Sequence, residues 1–274
     1  RRGGKRYNKK KTMGVAMSLF RCPICAAPLE RAENCYRCPR GHSYDIAREG
    51  YVHLLPANRK HAREPGDDKA MVAARNRFLE GGWYDHLRQC LCELALAHAG
   101  ERTAFLDAGC GEGYYTAAAG VDLSKAALRR AARRNGRAEF AVASVYHLPV
   151  GDGAAGVLLD CFAPLALEEY RRVLRPGGVF LYVVPAPEHL MEMKEVLYDA
   201  PYENPDESVE YAGFRYLDVV RVSRRISLEG ESILDLFHMT PYAWKTPREG
   251  VERLLALERL EVTASFRVHV FRRL

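Results

Sequence analysis

Four cysteines and a histidine fall within 21 positions of "RCPICAAPLERAENCYRCPRGH", residues 21–42. Two thiolates separated by two residues grip one ion from a tight turn, and a second pair closes a tetrahedral site of the structural zinc kind. Cys22-x2-Cys25 supplies the first pair, and Cys38-x3-His42 supplies a second across a 12-residue connection. Cys35-x2-Cys38 is itself such a pair, so Cys22, Cys25, Cys35 and Cys38 compete as a set with Cys22, Cys25, Cys38 and His42. A proline follows one ligand of each pair, which suits a rigid knuckle, and a segment this short cannot bury a core of its own. With every ligand position filled, the metal has a structural task rather than a catalytic one.

A different chemistry is written into "TAFLDAGCGEGYYT", residues 103–116. A short apolar run ends in Asp107, and Gly109, Gly111 and Gly113 follow with one residue between each. Glycines stand where the backbone must turn tightly and let a ligand lie against it, and a strand entering such a turn opens a βαβ unit. The spacing is GxGxG rather than the GxGxxG of dinucleotide binders, and no Lys-Ser/Thr follows, which excludes a phosphate-cradling P-loop.

The elements that must position this turn follow in order. "GVDLSKAALRRAARR" reads as a strand ending at Asp122, placed to accept hydrogen bonds from two ribose hydroxyls, then a helix capped by Ser124. A third strand lies in "AEFAVASVYHLPV", with Ala143-Ser144 at its tip, and a fourth in "AAGVLLDCFAP". "EEYRRVLRPGGVFLYVVPAP" reads as a helix, a Pro-Gly-Gly turn and a fifth strand. One spacing departs from the pattern: only Ala117-Ala118-Ala119 separate "GYYT" from "GVDLS", and Asp122 comes 13 positions after Gly109. A crossover helix needs ten or more residues there, so the spacing predicts that a stretch of the unit is missing, the alternative being an abbreviated unit.

Composition bounds the rest. A chain of 274 residues, 48% hydrophobic and 10% aromatic, suits one large globular domain with a small one. No run of 18 apolar residues occurs, so no membrane span is expected, and the basic start lacks the apolar core of a secretory leader. Met13 or Met17 is a candidate internal start, which makes the residues before it an arm outside the fold. Residues 1–63 hold 15 Lys/Arg against 4 Asp/Glu, while the remainder is net acidic, −5. A basic front segment suggests a polyanionic partner, with a merely solvated arm as the plain alternative. The eight cysteines do not spread as a disulfide framework, which predicts a reducing, cytoplasmic compartment.

"DAGCGEGYYT", "GVDLSK" and "RVLRPGG" resemble the class I S-adenosylmethionine-dependent methyltransferases. Adding "CPICAAPL", "CPRGHSYDIAREGYVHLL", "PGDDKAMVAARNRFLEGGWY", "PAPEHLMEMK" and "MTPYAWK", the chain from about residue 20 onward resembles the RlmA family of 23S ribosomal RNA guanine-N1 methyltransferases. The resemblance implies an α/β fold: a Rossmann-like doubly wound sheet with a small N-terminal zinc-binding domain. It divides the chain into a basic tail (1–17), a zinc-binding RNA-recognition domain (18–60) and a methyltransferase domain (61–274). It also implies a zinc site of Cys22, Cys25, Cys38 and His42, with Cys35 a bystander. Tyr84 matches a cofactor-contacting tyrosine, Gly111 and Glu112 match the loop at the methionine end, and His189 matches a further cofactor neighbour. With Asp107, Gly109, Gly113, Asp122 and Ser144 these make up the expected S-adenosylmethionine site. A homodimer, its RNA held in a cleft between subunits, is likewise implied by the resemblance.

The expected reaction is transfer of a methyl group to N1 of a guanine in a 23S rRNA hairpin, with macrolide resistance a role known for one branch of the family. Arg21, Arg37, Arg40, Arg48, Arg59, Lys60 and Arg63 are the candidate phosphate contacts. No residue is assigned as the group that removes the N1 proton; Asp160, at the end of the fourth strand, stands on the acceptor side without a family match. Two rival readings are a small-molecule methyltransferase and a non-catalytic RNA-binding protein with a vestigial cofactor fold. The basic front segment disfavours the first, and the intact glycines with Asp122 disfavour the second.

Overall fold

The computed structural model describes residues 17–59, 69–100, 103–206 and 210–274. The basic tail up to residue 16, and Lys60 and Arg63 of the expected phosphate contacts, lie outside the described residues.

Four short strands open the chain: β1 (Met17–Arg21), β2 (Pro28–Arg31), β3 (Cys35–Arg37) and β4 (Ser43–Asp45). They form an antiparallel meander in the order β1-β2-β3-β4. Phe20, Leu29 and Tyr36 are its large buried side chains, and they pack into the core of the second sheet rather than making one of their own.

The second sheet gathers β5 (Tyr51–His53), β6 (Phe105–Ala108), β7 (Ala119–Asp122), β8 (Glu139–Val142), β9 (Ala155–Cys161), β10 (Leu174–Pro185), β11 (Phe214–Glu229) and β12 (Arg259–Arg273). Interleaved are α1 (Lys69–Glu80), α2 (Asp85–His98), α3 (Lys125–Arg134), α4 (Leu167–Val173), α5 (Met191–Leu197), α6 (Glu231–His238), α7 (Tyr242–Lys245) and α8 (Arg248–Leu255). The strand order is β11-β12-β10-β9-β6-β7-β8-β5, with β12 alone running against the others. The order reverses between β6 and β9, the place where open α/β sheets bind ligands beyond their strand ends.

Both faces are covered, so the central strands are apolar throughout rather than alternating. Val157 and Leu159 of β9 join Leu87, Leu181 and Phe266 on one face, while Leu158 joins Tyr170, Phe180 and Phe271 on the other. The stretch 18–60 supplies one strand to this sheet, since β5 pairs in parallel with β8 at its edge. Glu139, opening β8, ties the small sheet down: one carboxylate oxygen accepts from Tyr36 Oη (2.9 Å), the other from Ser18 Oγ and Leu19 N (both 3.1 Å).

Where a crossover segment is expected to be missing, a ten-residue link joins the two strands. Residues 109–118 join β6 to β7 through turns alone, and the parallel register Leu106↔Ala119 to Ala108↔Val121 is complete. Gly109 N and Cys110 N both donate to Val121 O, and Gly113 N donates to Cys110 O. Three glycines with positive φ (79°, 52° and 74°) permit this coiling. The Pro-Gly-Gly turn expected before the fifth strand is a register shift inside β10, between Leu174 and Val179.

Candidate metal centre and cofactor site

Two knuckles bring the metal-loving side chains together. In the first, Ala26 N donates to Cys22 O (2.8 Å) and Cys22 N to Ala27 O (2.9 Å), with Ala26 left-handed at φ 56°. In the second, Gly41 N donates to Cys38 O and Cys38 N to His42 O, both 3.0 Å, with Gly41 at φ 85°. The ligand atoms of Cys22, Cys25, Cys38 and His42 lie within 4.8 Å of one another, and Cys35 is not among them. His42 Nδ1 is 3.3 Å from Cys38 Sγ and 3.5 Å from Cys22 Sγ, and Cys25 Sγ is 3.7 Å from Cys38 Sγ. A tetrahedron with metal–ligand bonds of about 2.0–2.3 Å has edges of this length, so the cluster fits zinc. Burial acts to raise the Cys22 thiol, but Tyr44 Oη at 3.0 Å and the turn's backbone amides outweigh it and bring it down to about 6. A thiolate there is the form a metal binds.

Among the expected phosphate contacts Arg37, Arg40 and Arg48 are exposed, whereas Arg21 is half-buried with its guanidinium beside Gly151.

At the end of β6, Asp107 is buried and accepts from Thr116 Oγ1 (2.6 Å). Burial, with Asp122 and Asp160 nearby, lifts its carboxyl to about 7 against the pull of Thr116. The glycine positions are demanded differently. A Cβ at Gly109 would lie 2.3 Å from Ala163 Cβ, and one at Gly113 would lie 2.9 Å from Ala131 Cβ. One at Gly111 would meet only Arg75 Nη1, at 4.0 Å, so the outer side of the turn faces open space. This is the cradle a nucleoside ligand needs. Asp122 holds it in shape: one oxygen accepts from Gly111 N (2.9 Å), the other from Ser124 N (2.7 Å). Ser124 in turn caps α3, accepting from Ala127 N. Glu112 is turned into the seam between α1 and α3, where it accepts from Asn76 Nδ2 (3.2 Å) and Arg134 Nη2 (2.8 Å). Its carboxylate is engaged away from the turn, leaving only its backbone there. Ser144, past the tip of β8, accepts from Tyr146 N at 3.3 Å.

Tyr84 and His189 meet although 105 positions separate them: their rings lie 6.4 Å apart, with Phe266 4.9 Å from the first and 4.7 Å from the second. Ser265 N donates to His189 Nδ1 (3.2 Å), which fixes the Nε2–H tautomer. Burial pushes the His189 imidazole down to about 3, so it stays neutral. His86, Phe162 and Phe266, which carry no motif in the sequence, complete the aromatic group. Both oxygens of Asp160 are engaged within the fold. The residue is fully buried and accepts from Tyr170 Oη (2.7 Å) and Ala163 N (3.0 Å).

The RlmA N-terminal zinc-ribbon family matches residues 20–63, and the methyltransferase-domain family matches residues 106–182. Together with the strand order and the glycine turn, this defines an S-adenosylmethionine-dependent methyltransferase of class I that carries a zinc ribbon. The chain is 37% identical over 290 residues to a protein of Micromonospora griseorubida named for 23S rRNA (guanine-N(1)-)-methyltransferase activity, spanning 92% of this chain and 97% of that one. A 23S rRNA (guanine(748)-N(1))-methyltransferase of Streptomyces fradiae is 44% identical over 191 residues (65% and 67%), and YxjB of Bacillus subtilis (strain 168), similarly named, is 31% identical over 274 residues (91% and 95%). The chain belongs to the 23S rRNA (guanine-N1)-methyltransferase family.

Proposed function

We infer that the protein methylates N1 of a guanine in a hairpin of 23S ribosomal RNA, with S-adenosylmethionine as donor. The observation that carries this reading is one chain joining a four-ligand ribbon to a glycine-turned sheet, aligned with almost the whole of a relative named for that reaction. The bound donor supplies an electrophilic methyl group; the protein's work is to hold, orient and dry the site.

Gly109, Gly111 and Gly113 give the donor its seat, and Asp107 and Asp122 brace the turn beneath it through Thr116 and Gly111. Tyr84, the backbone of Glu112, Ser144 and His189 line the remainder of that site in this reading. Cys22, Cys25, Cys38 and His42 hold zinc, and the ribbon they staple (18–60) presents Arg37, Arg40 and Arg48 to RNA phosphates while residues 61–274 carry the transfer. Guanine N1 lies on the Watson–Crick edge and bears a proton, so the base must be unpaired before it can react. Bound S-adenosylmethionine would supply the methyl group to N1, whose proton would pass to solvent water.

Two subunits pair around the RNA, a state that light scattering of the purified protein checks. The enzyme works in the cytoplasm, where its substrate is made, and protection from macrolides is its proposed outcome, read from drug susceptibility of a strain lacking the gene. Primer extension on that strain's ribosomal RNA tests the activity. Loss of one stop at a guanine of 23S rRNA is expected, and an unchanged stop pattern rejects the reading.

A further inference from the structure

We propose that Phe162 is the plate on which the target guanine stacks, and that Asp160 is the positioning residue that holds it out. This deepens the function proposed above and rests on it.

Among the described residues, three without glycine's freedom adopt a left-handed backbone: Ala26, Leu190 and Phe162. Ala26 belongs to the metal knuckle, and Leu190 is fully buried. Phe162, at φ 63°, is 50% exposed. A bulky side chain in this conformation is a true outlier, and strain of this kind persists only where its surroundings impose it. They do so here. Ala163 N donates to Asp160 Oδ1 (3.0 Å), closing a turn around Phe162, while Tyr170 Oη (2.7 Å) fixes the other oxygen of Asp160. Ala163 also lies against the glycine turn, as the 2.3 Å approach to a Cβ on Gly109 records.

Folding alone gives no reason for this arrangement. The same turn with Gly or Asn at 162 would relieve the backbone and remove an exposed phenyl ring from water. The location gives one. Phe162 follows directly on β9, whose neighbour β6 runs into the cofactor turn, at the sheet's switch point. Its ring centroid is 5.8 Å from Phe266, which touches Tyr84, His86 and His189, so it forms the solvent-facing end of a continuous aromatic group. An unpaired base has two flat apolar faces, and proteins that read single-stranded RNA stack them on such rings.

The test is methyl transfer to a 23S rRNA transcript by the full-length protein and by Phe162→Asn, Phe162→Gly and Phe162→Trp. Asn and Gly suit the left-handed backbone, so they keep the fold and remove only the ring. KM for the RNA is expected to rise roughly tenfold or more in both, with Trp near wild type. The Kd for S-adenosylmethionine should stay within about twofold, since the ring serves the base and not the donor. A hairpin with 2-aminopurine at the methylated position adds a spectroscopic reading: its fluorescence is quenched in the wild-type complex and recovers with Phe162→Asn. Unchanged KM and quenching in Phe162→Asn, or a loss of donor affinity parallel to the rise in KM, overturns the stacking role while leaving the proposed function standing. A wild-type protein that transfers no methyl to the transcript removes the function and the stacking role together.

Discussion

The ribbon and the large sheet hold themselves together by different means. Strands β1–β4 are three to five residues long and converge on four ligand atoms; their few large buried side chains rest on the other sheet. The eight-stranded sheet buries two apolar faces, deep enough to keep Asp107, Asp160 and His189 almost wholly out of water. The lesson is that stability and chemistry are arranged oppositely in the two. In the ribbon, four ligand side chains gather where the core is small, which leaves much of the surface uncommitted. In the sheet, packing supplies the fold and can support buried carboxyls raised to about 7 and a strained turn beside them.

The largest expected effect separates the two regions. Cys38→Ser, or chelation of the full-length protein, should release about one zinc per chain and cut RNA affinity by roughly 100-fold or more, because a structural ion's binding energy is folding energy. S-adenosylmethionine affinity, read by calorimetry, should hold. Loss of donor binding as well would mean that the docking through Phe20, Tyr36 and Glu139 makes one cooperative unit of both regions.

Gly109→Ala strikes the other region alone. A methyl group 2.3 Å from Ala163 Cβ, on a backbone at φ 79°, should cost about 2–4 kcal/mol in urea unfolding and weaken donor binding, with zinc content unchanged.

The buried carboxyls sharpen the contrast through pH. Burial raises Asp160 to about 7 against the pull of Tyr170 and Ala163. An unfolded Asp loses its proton near pH 4, so between pH 4 and 7 the folded state binds more protons and stability falls as pH rises. Asp160→Asn keeps an acceptor for Ala163 and should recover about 2–3 kcal/mol of that loss between pH 5 and 8. Equal slopes for the two proteins would contradict a neutral carboxyl at that position.

The smallest effect belongs to the ribbon's surface. Arg37, Arg40 and Arg48 are exposed, and replacing all three with Gln should lower the salt slope of RNA binding by about 2. A slope that does not move would leave the ribbon's arginines without a phosphate to meet.

How much of this was legible in the sequence follows from the range of the interactions involved. The knuckles and the glycine turn are local: Cys-Pro-x-Cys and three alternating glycines declare themselves because neighbouring residues make the geometry. Ser124 as a helix cap and Asp122 at a strand tip are legible for the same reason. Spacing alone leaves Cys35 open as a ligand; the family resemblance sets it aside, and the fold does so too by placing it in β3 opposite Asp45. Tyr84 and His189 are reached only through the family resemblance, and His86, Phe162 and Phe266 carry no motif, because the five rings come from distant stretches that only the tertiary fold brings together. The link 109–118 is short for a parallel connection, and three left-handed glycines in ten residues let it close through turns.

The most direct test of the central claim is methyl transfer by the purified, zinc-loaded protein to unmodified 23S rRNA, mapped by reverse transcription. A methyl on N1 blocks pairing, so the account expects one new stop at a single guanine, lost when Gly109 is Ala. Methyl incorporation with no stop, or no incorporation at all, would contradict it.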